Sequence, residues 1–332
     1  MIAQLDLNFI RARPWKIWSR LVAYLLFEGR PLTTRGRWIN PIVFAGHKLW
    51  AILPFRHREI APIFILGTGR SGTTVLGTIL GFHREVGYLN EPKALWHAAL
   101  GDDDLVGSFC KTPGRYKMER SDADPGKVRR LHNSYRAFLN LTHSNRVVDK
   151  YPELIFRNCL LDAAFPGACK IVLLRNGADT IRSIQTWSEK HVKTSFKCKS
   201  DWWGQDQQKW HLLVRQLVLT DPYFGLQGKE ISKFRNQVDM AAVEWIVTMR
   251  EAVRLRNAAK PGMIFVRYED LVAQPRETLS EIVRFSGLGH DEKMLDYGVT
   301  ILKQRSAFPV PSLDPVIAPL FCDTMKLLGY PV

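Results

Sequence analysis

Residues 63–80, IFILGTGRSGTTVLGTIL, limit the possible folds of this chain more than any other stretch. The apolar run 63–66 reads as a short buried strand, 67–72 as a glycine-rich turn and 73–81 as a helix. A strand that turns through glycines into a helix aims backbone N–H groups and the positive end of the helix dipole at one place, which makes a cradle for an anion. Gly67 and Gly72 have the separation found in the nucleotide loop G-x-x-x-x-G-K-[ST]. The next residue, however, is Thr73 where that loop needs lysine, and the positive charge lies inside the turn at Arg70. The missing lysine would reach the β- and γ-phosphates beside Mg²⁺. The turn is better suited to a phosphorylated ligand without a γ-phosphate.

Further strands are expected at 146–149, 170–174 and 263–266, each with a helix after it, at 153–165, 179–187 and 275–285. This alternation predicts an α/β fold, a P-loop-type parallel sheet flanked by helices, in a single domain with helical insertions. Residues 61–332 are expected to form that domain. Insertions are expected at about 101–145, which reads as polar loop, and at about 188–239, which carries Lys190, Lys193, Lys197 and Lys199 ahead of Trp202, Trp203 and Trp210. With 46% hydrophobic and 24% charged residues the chain can bury a core, which argues against disorder.

The turn G-T-G-R-S-G-T-T (Gly67, Thr68, Gly69, Arg70, Ser71, Gly72, Thr73, Thr74) resembles the 5′-phosphosulfate loop of the sulfotransferase superfamily, commonly P-[KR]-S-G-T-T, with Gly69 in place of the usual proline. In KIVLLRNGADTIRSI, Arg175 ends a strand and Ser183 follows in the next helix, an R-x7-S pattern that resembles the family's 3′-phosphate motif. A magnesium-dependent nucleotidase would end this strand in aspartate. Lys150, in V-V-D-K-Y-P, resembles the lysine of Golgi-type and tyrosyl-protein sulfotransferases that neutralises the departing oxygen. Glu91, in Y-L-N-E-P-K, resembles the family's catalytic glutamate, which follows the loop helix and an L-x-x-H segment (here Leu80 and His83) and takes the acceptor's proton. Glu85 and Glu153 are the alternatives to it. The segment F-V-R-Y-E-D-L resembles a late family segment in which Tyr268 would touch the nucleotide, and Lys303 and Arg305 are candidates to close over the phosphates.

The resemblance spans about residues 61–290. It implies 3′-phosphoadenosine 5′-phosphosulfate (PAPS) as co-substrate, no metal, and an acceptor hydroxyl or amine. A glutamate base and the Golgi-type pattern point to a carbohydrate or glycolipid acceptor. A degenerate P-loop kinase and a non-catalytic binder of polyanions or membrane surfaces are the rival readings.

A formal charge of +15 calls for an anionic partner. The first 60 residues concentrate basic side chains (Arg11, Arg13, Lys16, Arg20 and Arg30 among them) with aromatics, and Trp15, Trp18, Val22 and Leu25 fall at helical spacing. They are expected to form a helical extension that docks on the core or touches a membrane surface. No nucleic acid partner is expected. Five cysteines in no metal-binding or paired spacing suggest reduced thiols, and no convincing signal segment or membrane span is seen, so a cytoplasmic, membrane-associable protein is expected.

Overall fold

The computed structural model of the chain describes residues 4–53, 55, 59–110, 112–195, 198–304 and 308–332, with backbone alone at 193–195 and 198–199. Helices α1 (Leu7–Ala12), α2 (Lys16–Val22) and α3 (Asn40–Ile52) precede strand β1 (Ile63–Gly67) and helix α4 (Thr73–Phe82). Then follow β2 (Val86–Asn90), α5 (Lys93–Leu100), α6 (Pro125–Thr142), β3 (Arg146–Lys150), α7 (Asn158–Ala164), β4 (Cys169–Leu174) and α8 (Gly177–His191). Three short strands, β5 (Lys193–Ser195), β6 (Cys198–Asp201) and β7 (Gly204–Gln205), lead to α9 (Gln208–Leu213), α10 (Gln227–Ile231) and α11 (Gln237–Asn257). Strand β8 (Met263–Arg267) and helices α12 (Tyr268–Ala273), α13 (Pro275–Phe285), α14 (Glu292–Ile301) and α15 (Ala318–Leu327) complete the chain.

The central sheet has the order β2-β3-β1-β4-β8, with every pairing parallel. Its strands are covered on both faces, as parallel sheets must be. Alternation shows it: Phe64 and Leu66 of β1 pack into one core, and Ile63 and Ile65 into another. Val172 and Leu174 of β4 join the first, Ile171 and Leu173 the second. A small antiparallel sheet, β5-β6-β7, stands apart from it.

The expected α/β architecture and four expected strands are present. A fifth, β2, was not expected, because V-G-Y-L-N offers one β-branched residue and a glycine. Gly87 is needed there, since a Cβ would come within 2.7 Å of the Phe138 ring on α6. The loop reading of 101–145 is corrected by α6, which runs for 18 residues. Asp124 caps it by accepting from the amides of Gly126 and Lys127, and it buries Leu131, Tyr135, Phe138 and Leu139. Helix 153–165 divides into a tight 3-10 stretch, Pro152–Arg157, and α7.

Candidate active site

Each strand of the central sheet delivers a candidate residue at its C-terminal end, the edge where open α/β sheets bind ligands. The loop 68–72 follows β1, Glu91 follows β2, Lys150 ends β3, Arg175 follows β4, and Tyr268 follows β8.

The loop's conformation requires its glycines. Gly67 and Gly72 have φ of 144° and 96°. A Cβ on Gly67 would meet the Leu173 carbonyl at 2.6 Å, and one on Gly72 the Tyr268 ring at 2.3 Å. Arg70 also takes a positive φ, 70°. Ser71 closes the turn, its hydroxyl donating to the Thr68 carbonyl at 2.7 Å. Thr73 and Thr74 open α4 and face the cleft.

Arg175 and Ser183 converge on this loop. The Arg175 Nη1 donates to the Arg70 carbonyl at 2.9 Å, and Arg70 Nε donates to the Ser183 hydroxyl at 3.2 Å. The Arg175 guanidinium lies 4.4 Å from the Tyr268 ring centroid. Its Nε and the Thr68 hydroxyl are buried with no hydrogen-bond partner among the described residues. One donor and one donor-acceptor left unpaired beside a glycine cradle suit a multiply phosphorylated ligand.

Glu91 and Lys150 form a pair, Nζ to Oε1, of 2.5 Å. The Lys150 side chain is 1% exposed. Glu91 is held in a left-handed conformation, φ 48°, by its own amide, which donates to the Lys150 carbonyl at 2.7 Å. Lys93 Nζ lies 3.2 Å from the other carboxylate oxygen. Removal from water would raise the Glu91 pKa, but the charges of Lys150 and Lys93 outweigh this and hold it well below the ordinary value. The neighbour in β3, Asp149, faces the opposite side of the sheet, where burial pushes its carboxyl up to about 7 although Tyr135 and Trp96 donate to it.

Arg70, Glu91, Lys93 and Glu153 line a cleft of ≈ 680 Å³, together with Trp187 and Trp202. Trp202 lies against Gly69, where a Cβ would meet its ring at 2.6 Å. Its indole N–H donates to Glu244 at 2.6 Å, and Lys209 links Glu244 (2.6 Å) to Glu153 (3.4 Å) beneath it. Trp203 and Trp210 are core residues. His83 is buried and bonded to the Gly289 carbonyl. Glu85 lies away from the cleft, its carbonyl accepting from Asn145 and Arg146. Lys303 is exposed; Arg305 and Lys197 lie outside the described residues, as do the side chains of Lys193 and Lys199.

A family model described as the sulfotransferase family matches residues 62–222, a span that contains the loop, Glu91, Lys150, Arg175 and Ser183. The chain belongs to the sulfotransferase family. It is 25% identical over 272 residues to Protein-tyrosine sulfotransferase A of Caenorhabditis elegans, covering 79% of this chain and 60% of that protein. It is 24% identical over 255 residues to an uncharacterized protein of Aquifex aeolicus (strain VF5), covering 73% of this chain and 27% of that one. The chain thus spans 60% or less of the length of these relatives. Among solved structures it is similar to the sulfotransferase domain from the curacin biosynthetic pathway, with 15% identity, a TM-score of 0.49, and coverage of 83% of this chain and 100% of that chain. A mouse sulfotransferase complexed with PAP shares 12% identity at a TM-score of 0.39, covering 83% of this chain and 81% of that chain.

Lys93, a cleft residue of this sulfotransferase family member, was missed from sequence. Lys93 stands two residues after Glu91 in E-P-K and looks like an ordinary helix-opening lysine. Trp202 was singled out, but nothing in a run of tryptophans separates the one at the cleft from the two in the core.

Proposed function

We propose that this protein transfers a sulfuryl group from PAPS to an acceptor hydroxyl or amine, on a carbohydrate or glycolipid. The observation that carries this reading is the joining, through Arg70, of the glycine loop after β1 and the Arg175/Ser183 pair after the neighbouring strand β4. Residues 67–74 would hold the 5′-phosphosulfate, and Arg175 with Ser183 the 3′-phosphate. The unpaired Arg175 Nε and Thr68 hydroxyl support that fit. Tyr268, packed between Gly72 and Arg175, supports both elements.

When bound, PAPS supplies a sulfuryl group on a phosphate leaving group. Glu91 takes the proton of the acceptor oxygen as its bond to sulfur forms. Lys150 neutralises the phosphate oxygen that keeps the electron pair of the broken S–O bond. At rest these two residues hold each other. An anion arriving beside Lys150 competes for its ammonium, and a carboxylate so released gains basicity. Residues 61–332 form the catalytic unit in this reading, and residues 1–60 add a wall, since Gly29–Arg35 line the cleft. Trp187 and Trp202 suit the apolar face of a sugar ring.

Transfer from radiolabelled PAPS to glycolipids, oligosaccharides and tyrosyl peptides tests this. The expected result is transfer to a sugar hydroxyl, slowed about a hundredfold or more in Glu91→Gln and in Lys150→Ala. Near-normal transfer by the double variant would refute the assigned roles. Transfer to the tyrosyl peptide alone would favour a second reading, supported by the 25% identity to Protein-tyrosine sulfotransferase A.

A further inference from the structure

The outward faces of most surface helices are polar; those of α2 and α3 are not. Of the 17 large hydrophobic side chains exposed among the described residues, nine fall within residues 7–52. On α3 the stripe is helical: Ile42, Ala45, Leu49 and Ile52 point outward while Val43 and His47 point inward. Ile52 is 79% exposed, and Trp38, just before the helix, 77%. Trp15, just before α2, and Trp18 on it are likewise exposed, although Val22, expected on the same face, is buried. Both helices lie on α6: the Trp18 indole donates to the Leu141 carbonyl, and Asn133 donates to that of Ala51.

Charge says what this surface suits. Arg11, Arg37 and Lys48 are exposed in the same segment. Its one carboxylate, Glu28, is buried in an ion pair with Arg20. A second copy would bring the same cations and another +15 charges. An anionic bilayer complements both features, since tryptophan favours the lipid–water boundary and cations favour acidic headgroups. No helix among the described residues is long and apolar enough to cross a membrane. We propose that residues 7–52 dock the protein on the surface of an anionic lipid bilayer, with α2 and α3 lying along it. Trp38 follows three residues after Arg35, which lines the cleft, so docking would bring the cleft near the lipid.

Flotation of the full chain with vesicles tests this, independently of any sulfuryl transfer. Equimolar phosphatidylcholine–phosphatidylglycerol vesicles should bind it about tenfold more tightly than phosphatidylcholine alone, and less tightly as salt rises. The variant Trp38→Ser/Ile42→Ser/Leu49→Ser/Ile52→Ser should lose about tenfold or more in affinity, and Arg11→Glu/Lys48→Glu likewise. Unchanged melting temperatures would show that both variants fold. Equal partitioning of wild type and variants would overturn the proposal, as would wild type that stays free of anionic vesicles. A wild-type dimer that the serine variant turns into a monomer would overturn it too, by making the face an interface between copies.

Discussion

At the scale of single residues, two adjacent side chains in β3 have opposite fates. Strand alternation sends Lys150 to the face where it pairs with Glu91 and Asp149 to the opposite face, against Tyr135 and Trp96. Asp149 is fully buried, and burial raises its pKa from 3.8 to about 7. Between those values the folded state holds a proton that the unfolded chain has lost, so this residue's contribution to stability falls as pH rises from about 4 to 7. Asp149→Asn removes the term. Relative to wild type, the variant is expected to gain on the order of 2–4 kcal/mol between pH 4 and pH 8 in urea unfolding; parallel pH profiles would count against it. Glu91 has the reverse sign. Its pKa is depressed, so its contribution is present above the ordinary 4.5 and lost as pH falls through the lower folded value. Lys150→Ala should therefore flatten the loss of stability below pH 4.5, and an unchanged acid limb would show that the pair is not coupled. The sequence made Glu91 and Lys150 legible as separate candidates. It could not reveal that they hold each other, because 59 residues separate them.

At the scale of elements, the glycine loop after β1 and Trp202 explain a departure from the family pattern. Proline is common where this chain has Gly69, yet any Cβ there would meet the Trp202 ring at 2.6 Å. The glycine therefore makes room for an indole held down by Glu244 and Lys209. Gly69→Ala is expected to weaken binding of adenosine 3′,5′-bisphosphate by about 1–3 kcal/mol, and Trp202→Ala in the same chain to restore most of it. Additive losses in the two variants, measured by calorimetry, would mean that the contact carries no strain. The loop helix and four strands could be read from apolar runs and turn residues. Strand β2 could not, because its glycine answers to Phe138, a residue of α6 distant in sequence. The signal for α6 was present in D-P-G followed by Leu131, Tyr135, Phe138 and Leu139, but the charged residues around it obscured the period.

At the scale of the whole molecule, the N-terminal segment is stitched to the rest of the fold by buried charges that composition shows only as an excess of arginine. Arg13 pairs with Asp291, 278 residues away, and Arg20 with Glu28 at 2.8 Å. The same Glu28 oxygen accepts from the Asn90 amide at 2.8 Å, directly before Glu91. Glu28→Ala leaves a buried guanidinium without its carboxylate and should destabilise the protein by about 3–5 kcal/mol in chemical denaturation; a loss below about 0.5 kcal/mol would show the helices to be loosely attached. What unites these levels is the claim that two neighbouring strand ends grip two phosphorylated positions of one ribose. Calorimetric titration of the full chain with adenosine 3′,5′-bisphosphate, 5′-AMP and ATP measures that claim directly. The bisphosphate should bind about tenfold or more tightly than 5′-AMP, and Arg175→Ala should erase the difference. Equal affinity for the bisphosphate and 5′-AMP, or a magnesium-dependent preference for ATP, would contradict it.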